Sequence, residues 1–122
     1  MLRVNLSSGE TLTLDLFDDD QAEAARDIIR LRSGEIRGLT LARNGTQHAM
    51  PMPRGFRRLR FMVRAVRLPD GTPSFERLDC YADDVLLQLT VYAESPVVRF
   101  DTVKTGRLIY SPLENGHAGS RS

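Results

Sequence analysis

The stretch that decides the fold runs from residue 56 to residue 82 and reads FRRLRFMVRAVRLPDGTPSFERLDCYA. Within residues 56–68, apolar and polar side chains alternate, which is typical of a β-strand with one buried face. The predicted buried face comprises Leu59, Phe61, Val63 and Ala65. Residues 69–72 (Pro-Asp-Gly-Thr) predict a tight turn, because proline presets its backbone angle and glycine adopts conformations that other residues avoid. The sequence therefore predicts a hairpin.

The position of the turn fixes which residues pair across this hairpin. If residues 70–71 are the loop residues, Val63 lies opposite Leu78 and Phe61 lies opposite Cys80. Both pairs are apolar and share one face of the hairpin. Because a shift of one residue would turn every side chain to the other face, this match supports the register.

Upstream, the sequence predicts a hairpin, a helix and another hairpin. Apolar residues alternate with polar ones on both sides of a Ser-Ser-Gly turn in residues 1–16. Residues 19–33 have helical spacing and follow an aspartate-rich N-cap, and Gly34 is well placed to end the helix. Residues 44–45 (Asn-Gly) predict a type I′ hairpin turn, since both tolerate a positive φ.

The remaining sequence predicts more strands. A breaker-rich connection at residues 50–55 leads to the hairpin of residues 56–82, and alternating segments follow at residues 85–91, 98–100 and 108–110. The order of elements predicts an α+β fold. We expect a mainly antiparallel, curled β-sheet, barrel- or sandwich-like, with one helix after the N-terminal hairpin.

Length and composition favour one small folded domain. The chain has 122 residues, of which 41% are hydrophobic, as in average globular proteins. We expect a single strand-rich domain at residues 1–112 and a flexible C-terminal tail at residues 113–122. An N-terminus without a long apolar run and a single cysteine, Cys80, predict a soluble protein of the cytoplasm, with no membrane association.

The charges are unevenly distributed along the chain. The net charge is only +1, yet residues 36–69 contain eight arginines and no acidic residue. Arginine binds phosphate and carboxylate groups through two parallel hydrogen bonds. A bias towards arginine in the coding sequence explains the preference over lysine, but it does not explain the segregation. The sequence thus points to an anion-binding surface.

The predicted register collects the candidate site on one strand face. Basic side chains from both strands share this face with aromatic ones, and Asp79 neutralises part of the charge. The candidate partner-binding residues are Arg58, Arg60, Arg64, Arg77, Phe75 and Tyr81. Guanidinium groups beside aromatic rings are typical of nucleic-acid binding, and arginine is also frequent in protein interfaces. An ordinary solvated strand face is a third interpretation.

The other motifs give weaker indications of chemistry. Residues 81–84 (Tyr-Ala-Asp-Asp) resemble the metal-binding hairpin of reverse transcriptases, where adjacent aspartates help to hold two magnesium ions; Asp15 would be a loose candidate for a further ligand. A solvated turn is the preferred interpretation because the match covers four residues. His48 and His117 lack metal-ligand spacing, and Cys80 is expected to be an inert buried thiol. We therefore assign no catalytic residue, metal site or cofactor.

These observations favour a small non-catalytic binding or assembly module. Its expected partner is another protein or a second copy of the chain, because several strands imply sheet edges that must be covered, charged or paired. The alternative is a nucleic-acid-binding protein that uses the basic strand face. A small enzyme with unrecognised chemistry is the third hypothesis.

Overall fold

The computed structural model describes residues 1–95, 97–104 and 110–111. The chain is α+β, with antiparallel sheets and one α-helix in this part. In chain order the elements are β1 (Leu2–Leu6), β2 (Thr11–Leu14), α1 (Asp19–Arg32), a 3₁₀ turn (Ser33–Glu35), β3 (Ile36–Arg43), β4 (Thr46–Ala49), β5 (Leu59–Arg67), β6 (Pro73–Ala82), β7 (Val85–Tyr92), β8 (Val98–Lys104) and β9 (Tyr110–Ser111).

The strands form two sheets and not one continuous sheet. The first has the order β2-β1-β3-β4 and the second β5-β6-β7-β8-β9. The segment between β4 and β5, which the sequence marked as rich in strand breakers, connects them. Each sheet ends in two edge strands, so neither is closed among the described strands. A barrel-like or sandwich-like closure therefore stays a prediction.

The two sheets and the helix contribute to one cluster of buried apolar side chains. Leu2, Leu41 and Leu78 are fully buried within it, and Ile29 reaches it from α1. The helix packs mainly against β5. The division into a domain at residues 1–112 and a tail stays a prediction, because residues 113–122 lie outside the described residues.

The hairpin of β5 and β6 has the predicted register. Val63 pairs with Leu78, and Phe61 pairs with Cys80. Leu78 and Cys80 are fully buried, so this face is the core face of the second sheet. The turn itself is longer than two residues, because the register shifts between residues 66 and 67.

The helix begins as predicted and ends at Arg32, one residue before the predicted end. The Asp18 side chain caps it by accepting hydrogen bonds from the backbone N–H groups of Asp20 and Gln21, at 3.0 and 3.1 Å. Gly34 lies where the sequence placed it, directly after the C-cap residue Ser33, but the chain continues there into a 3₁₀ turn in which Gly34 has no positive φ. Across this turn, the Arg32 guanidinium contacts the Glu35 carboxylate at 2.8 Å.

The Asn44-Gly45 turn has the predicted backbone conformation. Asn44 has a φ of 54° and Gly45 a φ of 79°, and Arg43 pairs with Thr46 across the turn. Both angles are positive, as a type I′ turn requires. None of the helices in the described part of the chain is long and apolar enough to cross a membrane.

Candidate partner-binding surface

The register of β5 and β6 brings the candidate residues onto the solvent-facing side of the second sheet. Across the two strands, Arg60 pairs with Tyr81, and Arg64 pairs with Arg77. Phe75 lies on the same face near the turn. Arg58 immediately precedes β5, at the opposite end of the hairpin. We call the six residues the arginine face: Arg58, Arg60, Arg64, Phe75, Arg77 and Tyr81.

Three of the four arginines are exposed. The side chains of Arg58, Arg60 and Arg64 form no ion pair with any residue that the structure describes. Between Arg60 and Arg64 on β5 lies Met62, which is 46% exposed. This edge of the face therefore carries positive charge, which no described carboxylate offsets, beside an accessible apolar side chain.

Arg77 has a different environment from the other three arginines. Its side chain is 24% exposed, and its Nε atom lies 3.6 Å from a carboxylate oxygen of Asp79. The Asp79 side chain is nearly fully buried and also accepts a hydrogen bond from the Gln88 amide, at 3.1 Å. As the sequence predicted, Asp79 neutralises part of the face, and it does so at Arg77.

The two aromatic rings of the face are covered by its own arginines. The guanidinium carbon of Arg60 lies 4.6 Å from the centre of the Tyr81 ring, and that of Arg77 lies 5.8 Å from the centre of the Phe75 ring. Phe75 also packs against Tyr92, with ring centres 5.8 Å apart. Cation–π contacts of this kind hold the guanidinium groups in place. A nucleic acid base would have to stack on the remaining ring surfaces or displace an arginine.

Asp83, from the motif that resembles a metal-binding hairpin, anchors the backbone before β5. Its carboxylate accepts hydrogen bonds from the backbone N–H groups of Arg57, at 3.0 and 3.1 Å, and Arg58, at 2.8 Å. The Asp83 N–H in turn donates to the Arg58 carbonyl at 3.0 Å. Within the described residues, no cluster of three or more His, Cys, Asp or Glu side chains is arranged to hold a metal ion. Asp83 therefore has a structural role in placing Arg58.

The sequence analysis did not identify the buried carboxylate of Glu76. The Glu76 side chain is fully buried, with one carboxylate oxygen 3.1 Å from Nη2 of Arg43 and also 3.1 Å from the Met1 amino group. The alternation of β6 contained the signal, since Glu76 shares its strand face with the apolar Leu78 and Cys80. Only the tertiary structure shows that Arg43, from the other sheet, supplies the opposite charge.

Cys80 lies in the core as the sequence predicted. Burial raises the pKa of its thiol to about 11, because the apolar surroundings disfavour the thiolate. Since the thiolate is the nucleophilic form, this cysteine is unsuited to catalysis at neutral pH.

The sequence also does not predict the groove beside β5. It lies between α1 and the free side of β5 and has a volume of about 320 Å³. Arg60 of the arginine face forms part of its wall, together with Arg26 and Arg30 of the helix. Sequence periodicity places Arg26 and Arg30 on an exposed helix face but does not indicate what that face borders.

Comparisons with protein-family models, curated proteins and solved structures gave no match to this chain.

Proposed function

We propose that this protein is a small non-catalytic binding module whose partner is another protein, bound through the arginine face. The observation that carries the proposal is the set of three exposed guanidinium groups, from Arg58, Arg60 and Arg64, which form no ion pair with the described residues. They sit at the end of an open sheet. An acidic surface on a partner would supply the missing opposite charges.

The composition of the face favours a protein over a nucleic acid. Arginine, methionine and aromatic residues are enriched in protein interfaces, and Met62 is accessible between two arginines. The rings that would stack on bases, Phe75 and Tyr81, are already covered on one side by guanidinium groups. The charge of Arg77 is offset by Asp79.

Binding can be tested with two variants that change the net charge equally. We expect Arg64→Glu to abolish capture of the partner from a cell extract, whereas Arg37→Glu, at an exposed position on β3, leaves it intact. A protein captured by the wild type and the control variant alone would then be purified and its affinity measured. Identical capture profiles for both variants would refute the proposal.

Nucleic-acid binding by the same face is the second candidate, supported by alternating arginines beside Tyr81. It predicts that labelled oligonucleotides bind with a steep salt dependence, and each lost phosphate contact reduces the log–log slope by about 0.9 for duplexes or about 0.7 for single strands. On this hypothesis, replacing Phe75 or Tyr81 by alanine costs about 1–3 kcal/mol with single strands. Titration at two salt concentrations distinguishes the candidates. The control is a variant with alanine at Arg58, Arg60, Arg64 and Arg77, and equal binding by wild type and variant would rule out the arginine face.

Several finer features belong to the same proposal. We propose a reducing, cytoplasmic location, because the single cysteine is a buried thiol and allows no internal disulfide. Sandwich-like closure of the two sheets and one domain over residues 1–112 are supported by the shared core. A second copy of the chain could also be the protein partner. Sedimentation over a range of concentrations tests this self-association. Detection of a small molecule bound to the purified protein would instead favour the third hypothesis, an enzyme.

A further inference from the structure

The free side of β5 presents unpaired backbone groups. β5 is the first strand of its sheet, and within the described residues it pairs with β6 alone. The Asp83 N–H donates to the Arg58 carbonyl, so alternate residues from Arg58 onwards direct their backbone groups towards β6. The N–H and C=O groups of Phe61 and Val63 therefore point the other way, and no described residue forms a hydrogen bond with them.

These backbone groups open into the groove between β5 and α1. Five consecutive residues of β5, at positions 59–63, line the groove, so both faces and the edge of the strand contribute to it. Phe61 and Val63 are nearly buried and form an apolar side with Ile29 of the helix. Unpaired strand edges commonly bind an extended peptide as an additional strand.

The groove carries a positive charge. Arg26, Arg30 and Arg60 line it, and the single acidic residue there, Asp27, lies 3.3 Å from the Arg30 guanidinium. Just beyond Met62, the exposed Arg64 extends the charge along the same strand face. An incoming strand would find cations on one side and apolar surface on the other.

We propose that β5 accepts an extended segment of a partner protein as an additional strand, and that acidic and apolar residues alternate in this segment. Successive side chains of a strand point to opposite faces, so its acidic residues meet Arg60 and Arg64 while its apolar residues meet Phe61, Val63 and Ile29. This inference rests on the proposed function and specifies the chemistry of the partner.

Charge disfavours a second copy of the chain as the occupant in the antiparallel registers centred on Arg60, Met62 or Arg64. If two β5 strands paired antiparallel about Met62, Arg60 of one copy would lie opposite Arg64 of the other. Pairing centred on Arg60 would place Arg60 opposite the same residue of the other copy, and pairing centred on Arg64 would do the same for Arg64. Like charges directly opposite each other destabilise a strand pair.

The experiment uses a terminally blocked peptide of about eight residues in which Glu and Val alternate. We expect it to bind the full chain and to slow amide hydrogen exchange at Phe61 and Val63 by about tenfold or more at saturation. Arg60→Glu should weaken binding by about tenfold, because an attractive cross-strand pair becomes repulsive, whereas Arg37→Glu should leave binding unchanged. Methylating alternate peptide nitrogens on the edge that faces β5 should abolish binding.

Four outcomes would overturn the inference. Equal binding of a Lys-Val peptide would refute the acidic partner, and oligonucleotide binding without protection of Phe61 and Val63 would favour nucleic acid. A dimer that protects both amides without peptide would identify a second copy as the occupant. Binding that depends on Arg60 but leaves both amides unprotected would refute strand addition. The proposed function would be unaffected, because capture of the partner by the wild type and not by Arg64→Glu tests it separately.

Discussion

Replacing Asp83 should separate two contributions to the turn that places the arginine face. Asp83 has a φ of 54°, in the left-handed region that most residues avoid. Its carboxylate also accepts the backbone N–H groups of Arg57 and Arg58. Three substitutions remove these features in different combinations: Asp83→Asn, Asp83→Gly and Asp83→Ala.

The expected costs follow from the geometry. Asparagine keeps a carbonyl acceptor and tolerates the left-handed conformation, so Asp83→Asn should lower the free energy of unfolding by less than about 1 kcal/mol. Glycine adopts the positive φ freely but has no acceptor and loses more backbone entropy on folding, which predicts about 1–2 kcal/mol. Alanine loses the acceptor and is strained at a φ of 54°, which predicts about 2–3 kcal/mol.

Urea unfolding measures these differences, provided that the dependence on urea concentration keeps the same slope in all variants. Amide exchange at Arg58 supplies a local readout, because its N–H loses its acceptor in the glycine and alanine variants but not in the asparagine variant. Equal destabilisation by asparagine and alanine would refute both contributions. Equal destabilisation by glycine and alanine would refute the contribution of the backbone conformation alone.

Further predictions concern three buried residues. Glu76→Gln should lower the free energy of unfolding by about 3 kcal/mol, because it leaves Arg43 without its charge partner. Glu35→Gln, at an exposed pair, should have a much smaller effect, and equal costs in urea unfolding would contradict this. Leu78→Ala should cost about 2–5 kcal/mol, since Leu78 is fully buried, and a smaller loss in thermal or urea unfolding would argue against its central position. The Cys80 thiol should resist alkylation at pH 8 until the chain unfolds. Its pKa is raised to about 11 from an ordinary 9.0, so the unfolded chain loses this proton first and stability should fall between about pH 9 and pH 11; a Cys80→Ala variant that shows the same fall would contradict this assignment.

The sequence by itself determined the features that depend on neighbouring residues. The Asn44-Gly45 turn follows from two residues that tolerate positive φ, and Asp18 caps the helix through N–H groups within three positions. The register of β5 and β6 follows from a short loop and from alternation on both strands, which together exclude a shift of one residue. That register also placed Arg60, Arg64 and their aromatic neighbours on one face.

Only the tertiary structure decided what depends on residues far apart in the chain. The division into two sheets and the pairing of Glu76 with Arg43 both result from contacts between distant segments. The groove beside β5 exists because α1 packs next to an edge strand about thirty positions later in the chain. Periodicity reports which side of an element is apolar. It does not report which element covers that side, because many partners bury the same apolar area with similar free energy.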